Sequence, residues 1–142
     1  MLFRSELWRN PRLMSDDQVY DVHGSIKMVK CPEKVSAGER FTVRVNVKND
    51  THETWNSKGM FPCSMSYHFV DQSGQMAIYD GERTQFSDGA LAAKSMSEEE
   101  MHVTAPSTPG DYQLVLTVVR DGKFWYEDKK GFKTTSCKVT VV

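Results

Sequence analysis

The sequence predicts an all-β protein, an antiparallel immunoglobulin-like or jelly-roll β-sandwich of about eight strands. Three observations predict it. Apolar and polar residues alternate in short runs, Gly, Pro, Asn and Asp punctuate the gaps between them, and no segment of 12 residues favours helical periodicity. The 142 residues suit one domain, assigned to 21–142. Residues 1–20 are polar, carry Pro11 and Asp16-Asp17, and read as a linker or N-terminal arm.

The elements follow in order. "SIKMVKC" is a first strand, closed by Pro32. "RFTVRVNVKN" is the clearest, with Phe41, Val43, Val45 and Val47 on one face and Thr42, Arg44, Asn46 and Lys48 on the other. After the polar loop "DTHETWNSKG", "PCSMSYHFV" sets Cys63, Met65, Tyr67 and Phe69 against Ser64, Ser66, His68 and Val70. "QMAIY" is its return strand. "SMSEEEMHVTA" is weaker, "GDYQLVLTVV" strong, "KFWYE" short, and "SCKVTVV" ends the chain. In "TPGDYQL", Pro109-Gly110 sets Tyr112 at the start of a core strand, like the tyrosine corner of immunoglobulin-like sandwiches.

Bulk properties narrow the function. Eighteen Lys+Arg against 19 Asp+Glu leave a net charge of −1, whereas nucleic-acid binders show a basic excess. No apolar run approaches the ~20 residues that span a bilayer. "MLFRSELWRNPRLM" is interrupted by Arg4, Glu6 and Arg9 and lacks the apolar core of a secretory signal. Cys31, Cys63 and Cys137 are odd in number and widely spaced, which predicts three free thiols in a reducing compartment rather than a disulfide framework. Asn49-Asp50-Thr51 matches a glycosylation acceptor but is discounted without a signal.

Hairpin register assigns the faces. A two-residue turn at Asp121-Gly122 pairs Val119 with Phe124, Val118 with Trp125 and Thr117 with Tyr126. Trp125 then joins Leu114, Leu116 and Val118 in the core, and Phe124 and Tyr126 point outward. A turn at Ser73-Gly74 pairs Phe69 with Ile78 and His68 with Tyr79, an assignment that a three-residue loop would break. The predicted outer face therefore carries Ser66, His68, Tyr79, Val115, Thr117, Val119, Phe124 and Tyr126. A face this apolar covers something: a ligand, the N-terminal arm or a dimer partner.

No phosphate loop, dinucleotide fingerprint or nucleophile elbow is present, and the histidines at 23, 52, 68 and 102 have no metal-ligand spacing. Alternation puts Cys63 inward and His68 outward, so they cannot act as nucleophile and base. Asp80 and Glu82 read as loop residues rather than a hydrolytic pair. The reading is therefore no enzyme, no cofactor and no metal. Sugar binding suits the residues better. Tyr79, Phe124 and Tyr126 can cover the C–H face of a pyranose, while Ser66, His68, Asp80, Arg83 and Thr117 can bond its hydroxyls. Arg83 with Arg120, Lys123, Lys129, Lys130 and Lys133 points to an acidic group on the glycan, a sugar acid or phosphate, clamped by Arg83.

Asn49 through Trp55, Ser66-Tyr67-His68, Asp80-Gly81-x-Arg83-Thr84, Ala105-Pro106, Pro109-Gly110-x-Tyr112 and Phe124-Trp125 together resemble a known group. It is the C-terminal domain of the ATP-binding subunit of bacterial O-antigen polysaccharide ABC exporters. The likeness covers residues 40–126. It implies a carbohydrate-binding module that recognises the modified non-reducing end of a lipopolysaccharide O-antigen chain and commits it to export. It further implies partnership with an ATPase domain and a membrane subunit, a cytoplasmic location at the inner face of the bacterial inner membrane, and a homodimer exchanging its last strand. On that reading the chain is an excised domain and residues 1–20 are its linker. Phe69 departs from the Trp of many relatives, at an inward position that bears on packing. The second reading is an accessory sandwich of a glycosyltransferase or methyltransferase, with a structural or positioning role.

Overall fold

The computed structural model describes residues 20–142, so the expectations placed on residues 1–19 lie outside the described residues. Each of the eight expected segments contains a strand. They are β1 (Gly24–Lys30), β3 (Arg40–Asn49), β5 (Cys63–Asp71), β6 (Met76–Ile78), β8 (Ser95–Thr104), β9 (Gly110–Arg120), β10 (Phe124–Trp125) and β12 (Thr135–Val141). Four two-residue strands add to them: β2 (Lys34–Val35), β4 (Trp55–Asn56), β7 (Ala90–Leu91) and β11 (Phe132–Lys133).

One large sheet runs β11-β1-β3-β8, the other runs β2-β12-β9-β5-β6 with β10 also on β9, and β4 pairs with β7 in a small third sheet. The inner faces of the two large sheets meet in one core. Val43, Val45 and Val47 of β3 and Met101 and Val103 of β8 belong to the same buried cluster as Met65, Tyr67 and Phe69 of β5 and Leu114, Leu116 and Val118 of β9. Burying side chains of this size is the main favourable term, about 1.5–3 kcal/mol each. Tyr112 is a tyrosine corner: its hydroxyl donates to the Thr108 carbonyl at 2.6 Å. Asn49 is fully buried and its amide donates to the carbonyls of Glu53 and Leu91, so the acceptor motif there is a loop brace.

β9 organises the second sheet. One edge pairs with all of β5, from Cys63↔Arg120 to Asp71↔Tyr112. The other edge is divided: β12 takes Gly110 to Leu116, and β10 takes Val119 and Arg120. β10 is short because β12 already occupies the rest of that edge. The chain leaves it through a 3-10 turn at Tyr126–Asp128.

Two expectations are corrected. Phe124 pairs with Arg120 and Trp125 with Val119, one residue out of the expected register. Asp121 does not take the positive φ that a type I′ turn requires; of the turn residues only Gly122 does, at 81°. Asp121 is held in the turn by its own bonds, its N–H donating to the Pro62 carbonyl and its carboxylate accepting from Arg83. The slip turns Trp125 to the outer face and lets Tyr126 fold into the core, where it is 0% exposed against Trp55 and Phe132. Phe124 likewise packs against the core rather than standing outward. The thiols are the second correction. Cys31 and Cys137, 106 residues apart, form a disulfide between the end of β1 and β12. The pair was invisible because neither residue is near the other in sequence. Cys63 alone stays free, and burial pushes its thiol pKa up to about 12.

Candidate functional site

β5 is buried on both faces, although only one faces the core. Its outer side is covered by the chain itself. After β6 the backbone runs on beside β5, with Gly81 N–H bonded to Tyr67 and Thr84 bonded both ways to Met65. This close approach explains Gly81: a Cβ there would sit 2.5 Å from the Tyr67 carbonyl oxygen. The segment carries Tyr79 and Arg83 over the sheet. From the other side come β10 and the 3-10 turn, carrying Trp125 and Glu127.

Between these two walls lies an open groove of about 300 Å³, lined among others by Tyr79, Asp80, Arg83, Asp121, Lys123 and Trp125. Tyr79 and Trp125 meet edge to face, centroids 5.3 Å apart, and Tyr79 is 50% exposed. The Arg83 guanidinium stacks on Trp125 at 5.0 Å. Its nitrogens are engaged. Nε and Nη2 donate to Asp121, and Nη1 donates to the Gly81 carbonyl and pairs with Asp80 at 2.7 Å. Arg83 therefore presents a stacked, doubly paired cation flanked by two carboxylates, and not the free clamp expected from sequence. The groove offers apolar ring surface beside both donors and acceptors, which is what a hydroxylated ring with a C–H face can use.

Below the rings sits His68, only 1% exposed. Its ring stacks on Tyr79 at 5.0 Å and tilts against Trp125 at 4.5 Å. Nδ1 donates to the Tyr79 carbonyl and Nε2 to the Glu127 carboxylate at 2.6 Å. Thr117 donates to the other Glu127 oxygen at 2.5 Å. Burial opposes charge on His68, but these two acceptors outweigh it and raise the pKa above the usual histidine value. Burial likewise opposes the Glu127 carboxylate, yet the bonds from His68 and Thr117 hold its pKa below the ordinary one.

Of the residues expected at the site, Tyr79, Asp80 and Arg83 line the groove, and Phe124 forms part of its rim. His68 and Thr117 lie beneath it, bonded to the protein. Ser66 is buried and donates to the carbonyls of Gly81 and Glu82, so it braces the wall. Tyr126 is on the core side and cannot be a platform. Asp80 and Glu82 turn to different partners, Glu82 bonding Arg40 and Thr104. Trp125, Asp121 and Glu127 were missed. The first followed from the wrong register. The other two looked like solvated turn residues, and nothing in the sequence marks them as partners of Arg83 and His68. Among the described residues no cluster of His, Cys, Asp and Glu could hold a metal ion, and no helix is long and apolar enough to cross a membrane.

No family model and no curated protein matches the chain. Solved structures do. A mutant β-glucosidase from Listeria innocua in complex with laminaribiose aligns with a TM-score of 0.50 and 14% identity, over 84% of this chain and 16% of that one. Spo0M, a sporulation control protein from Bacillus subtilis, aligns with a TM-score of 0.50 and 12% identity, over 84% of this chain and 49% of that one. The chain thus spans a sixth of the first protein and about half of the second. At these identities the likeness establishes a shared β-sandwich fold.

Proposed function

We propose that this chain is a non-catalytic carbohydrate-binding module that recognises the modified non-reducing end of an O-antigen polysaccharide and couples it to ABC-transporter export. The observation that carries the binding part is the groove itself: the exposed Tyr79 ring and the half-exposed Trp125 ring stand beside the Arg83–Asp80–Asp121 cluster. A sugar ring would lie against the aromatic pair, and its hydroxyls would exchange hydrogen bonds with the ionic cluster. The export assignment, with its ATPase domain, membrane subunit and place at the inner face of the inner membrane, rests on the sequence resemblance. An acidic cap has weaker support than the sequence suggested, because Asp80 and Asp121 already occupy Arg83. Lys123 and Arg120, which also line the groove, are cations that favour it.

Calorimetric titration with O-antigen oligosaccharides tests the reading, with and without the terminal modification and with neutral and acidic caps. The expected affinity is in the mM to μM range, about −4 to −8 kcal/mol. Tyr79→Ala and Trp125→Ala should each weaken it about tenfold or more, which corresponds to about 1.4 kcal/mol. No binding by any capped oligosaccharide, or binding unaffected by both variants, would overturn it. The same reading includes a homodimer that exchanges β12. In one chain β12 forms a seven-residue ladder with its own β9, and exchange would rebuild that ladder with the partner's copy. A monomer at high micromolar concentration in the ultracentrifuge would remove the exchange and leave the binding proposal standing.

A further inference from the structure

We propose that His68 is the positioning residue of the groove, a buried imidazolium that ties its two walls together and sets the Tyr79 and Trp125 rings for a ligand. This rests on the groove being the binding site. A buried neutral imidazole has one N–H that needs an acceptor and one bare nitrogen that needs a donor. His68 meets two partners, and both only accept. The Tyr79 carbonyl belongs to the wall that follows β6; the Glu127 carboxylate belongs to the 3-10 turn that follows β10. Neutral imidazole carries one N–H and could serve only one of them. The other would face a nitrogen lone pair with its own lone pair, against a ring that is itself buried. The doubly protonated ring serves both. It also lies in ring contact with the two side chains that would meet a ligand.

The surroundings favour that charge state. From the wall after β6, Tyr79 stacks on the ring and Asp80 lies beyond it. Arg83, on the same wall, is a cation paired with Asp80 and Asp121. From β9 come Thr117, uncharged, and Val115, which pairs directly across from His68. From the 3-10 turn come Glu127 and Asp128, both anionic, and both raise the pKa of His68. β5 adds only Ser66, hydroxyl-bonded elsewhere. Thr117 fixes the far oxygen of Glu127 so that the near one stays aimed at His68. Loss of the proton would free one wall and let Tyr79 or Trp125 move.

Nitrogen NMR of the His68 ring in the full chain, titrated from acid to mildly alkaline pH without any glycan, tests this. At neutral pH both ring nitrogens should carry protons. The Trp125 indole and Tyr79 ring signals should shift with the same midpoint as His68. Glu127→Gln keeps the size of the side chain and removes its charge. It should move that midpoint to lower pH while the Val139 and Leu114 methyl signals stay in place. A His68 ring with a single proton at neutral pH would overturn the proposal, and so would Trp125 and Tyr79 signals that ignore its titration. Because no glycan is present, the two failures are distinguishable: a coupled His68 with no glycan affinity would sink the proposed function and the ligand-setting role that rests on it, and leave His68 as the tie between the two walls.

Discussion

The two hairpins that frame the groove start from similar signals, Ser73-Gly74 and Asp121-Gly122, and end differently. In β5–β6 the loop is one residue longer than expected: Asp71 bonds Gln75 across a three-residue turn. That alone would invert the faces. A bulge at Ala77 cancels it, since Val70 pairs with Met76 but Phe69 with Ile78. In β9–β10 the turn also slips by one residue, and nothing restores it before β10 ends. The lesson concerns what pins a register. Phe69 continues the inward series Cys63, Met65 and Tyr67, set against Ser64, Ser66 and His68 on the other side, so the core selects one alignment. Phe124, Trp125 and Tyr126 are three consecutive aromatics, and every register buries at least one and exposes another.

The largest expected effect separates the members of that aromatic run. Tyr126→Ala removes a fully buried ring packed against Trp55 and Phe132, and should cost about 3–5 kcal/mol. Trp125→Ala removes a half-exposed ring from the outer face and should cost less than about 2 kcal/mol. Urea unfolding of both variants is sufficient. If Trp125→Ala proved the costlier, the register described here would be wrong and the two-residue turn right.

The same physics divides what the sequence showed from what it did not. Strand positions, the tyrosine corner and the outward placement of His68 and Tyr79 were legible, because alternation and core burial speak with one voice there. Trp125 was misplaced because its neighbours are as apolar as it is. The Cys31–Cys137 disulfide and the Arg83–Asp121 and His68–Glu127 pairs join residues 38 to 106 positions apart. Such contacts depend on which strands neighbour one another, and local pattern carries no trace of them.

A second effect concerns the link between the hairpins. The folded pKa of His68 is raised above 6.5, so its pairing stabilises fully below pH 6.5 and is lost as pH rises through the folded value. The folded pKa of Glu127 is lowered below 4.5, so its pairing stabilises fully above pH 4.5 and is lost as pH falls through the folded value. The contribution of the pair is therefore complete between pH 4.5 and 6.5. Unfolding midpoints across pH should fall on the alkaline side of that window, and Glu127→Gln should flatten the fall. An identical alkaline slope in that variant would mean that another group sets it.

The smallest effect sets one turn against the other directly. Gly74 and Gly122 both have positive φ, 87° and 81°, so an alanine at either pays for a left-handed backbone, about 1 kcal/mol. Part of that is returned, because alanine also restricts the unfolded chain. The surroundings differ. A Cβ at Gly74 would meet nothing within 4 Å, whereas one at Gly122 would sit 3.0 Å from the Phe61 ring. Phe61 is half-buried, carries the Lys123 ammonium 4.5 Å above its ring, and cannot yield without disturbing the groove's edge. Gly74→Ala should therefore cost about 1 kcal/mol or less, and Gly122→Ala about 1–3 kcal/mol. The Trp125 indole signal should move only in the second. Equal costs, or a Trp125 signal that moves in Gly74→Ala, would show that the β5–β6 turn is coupled to the groove. The Ala77 bulge would then not absorb changes made at the turn.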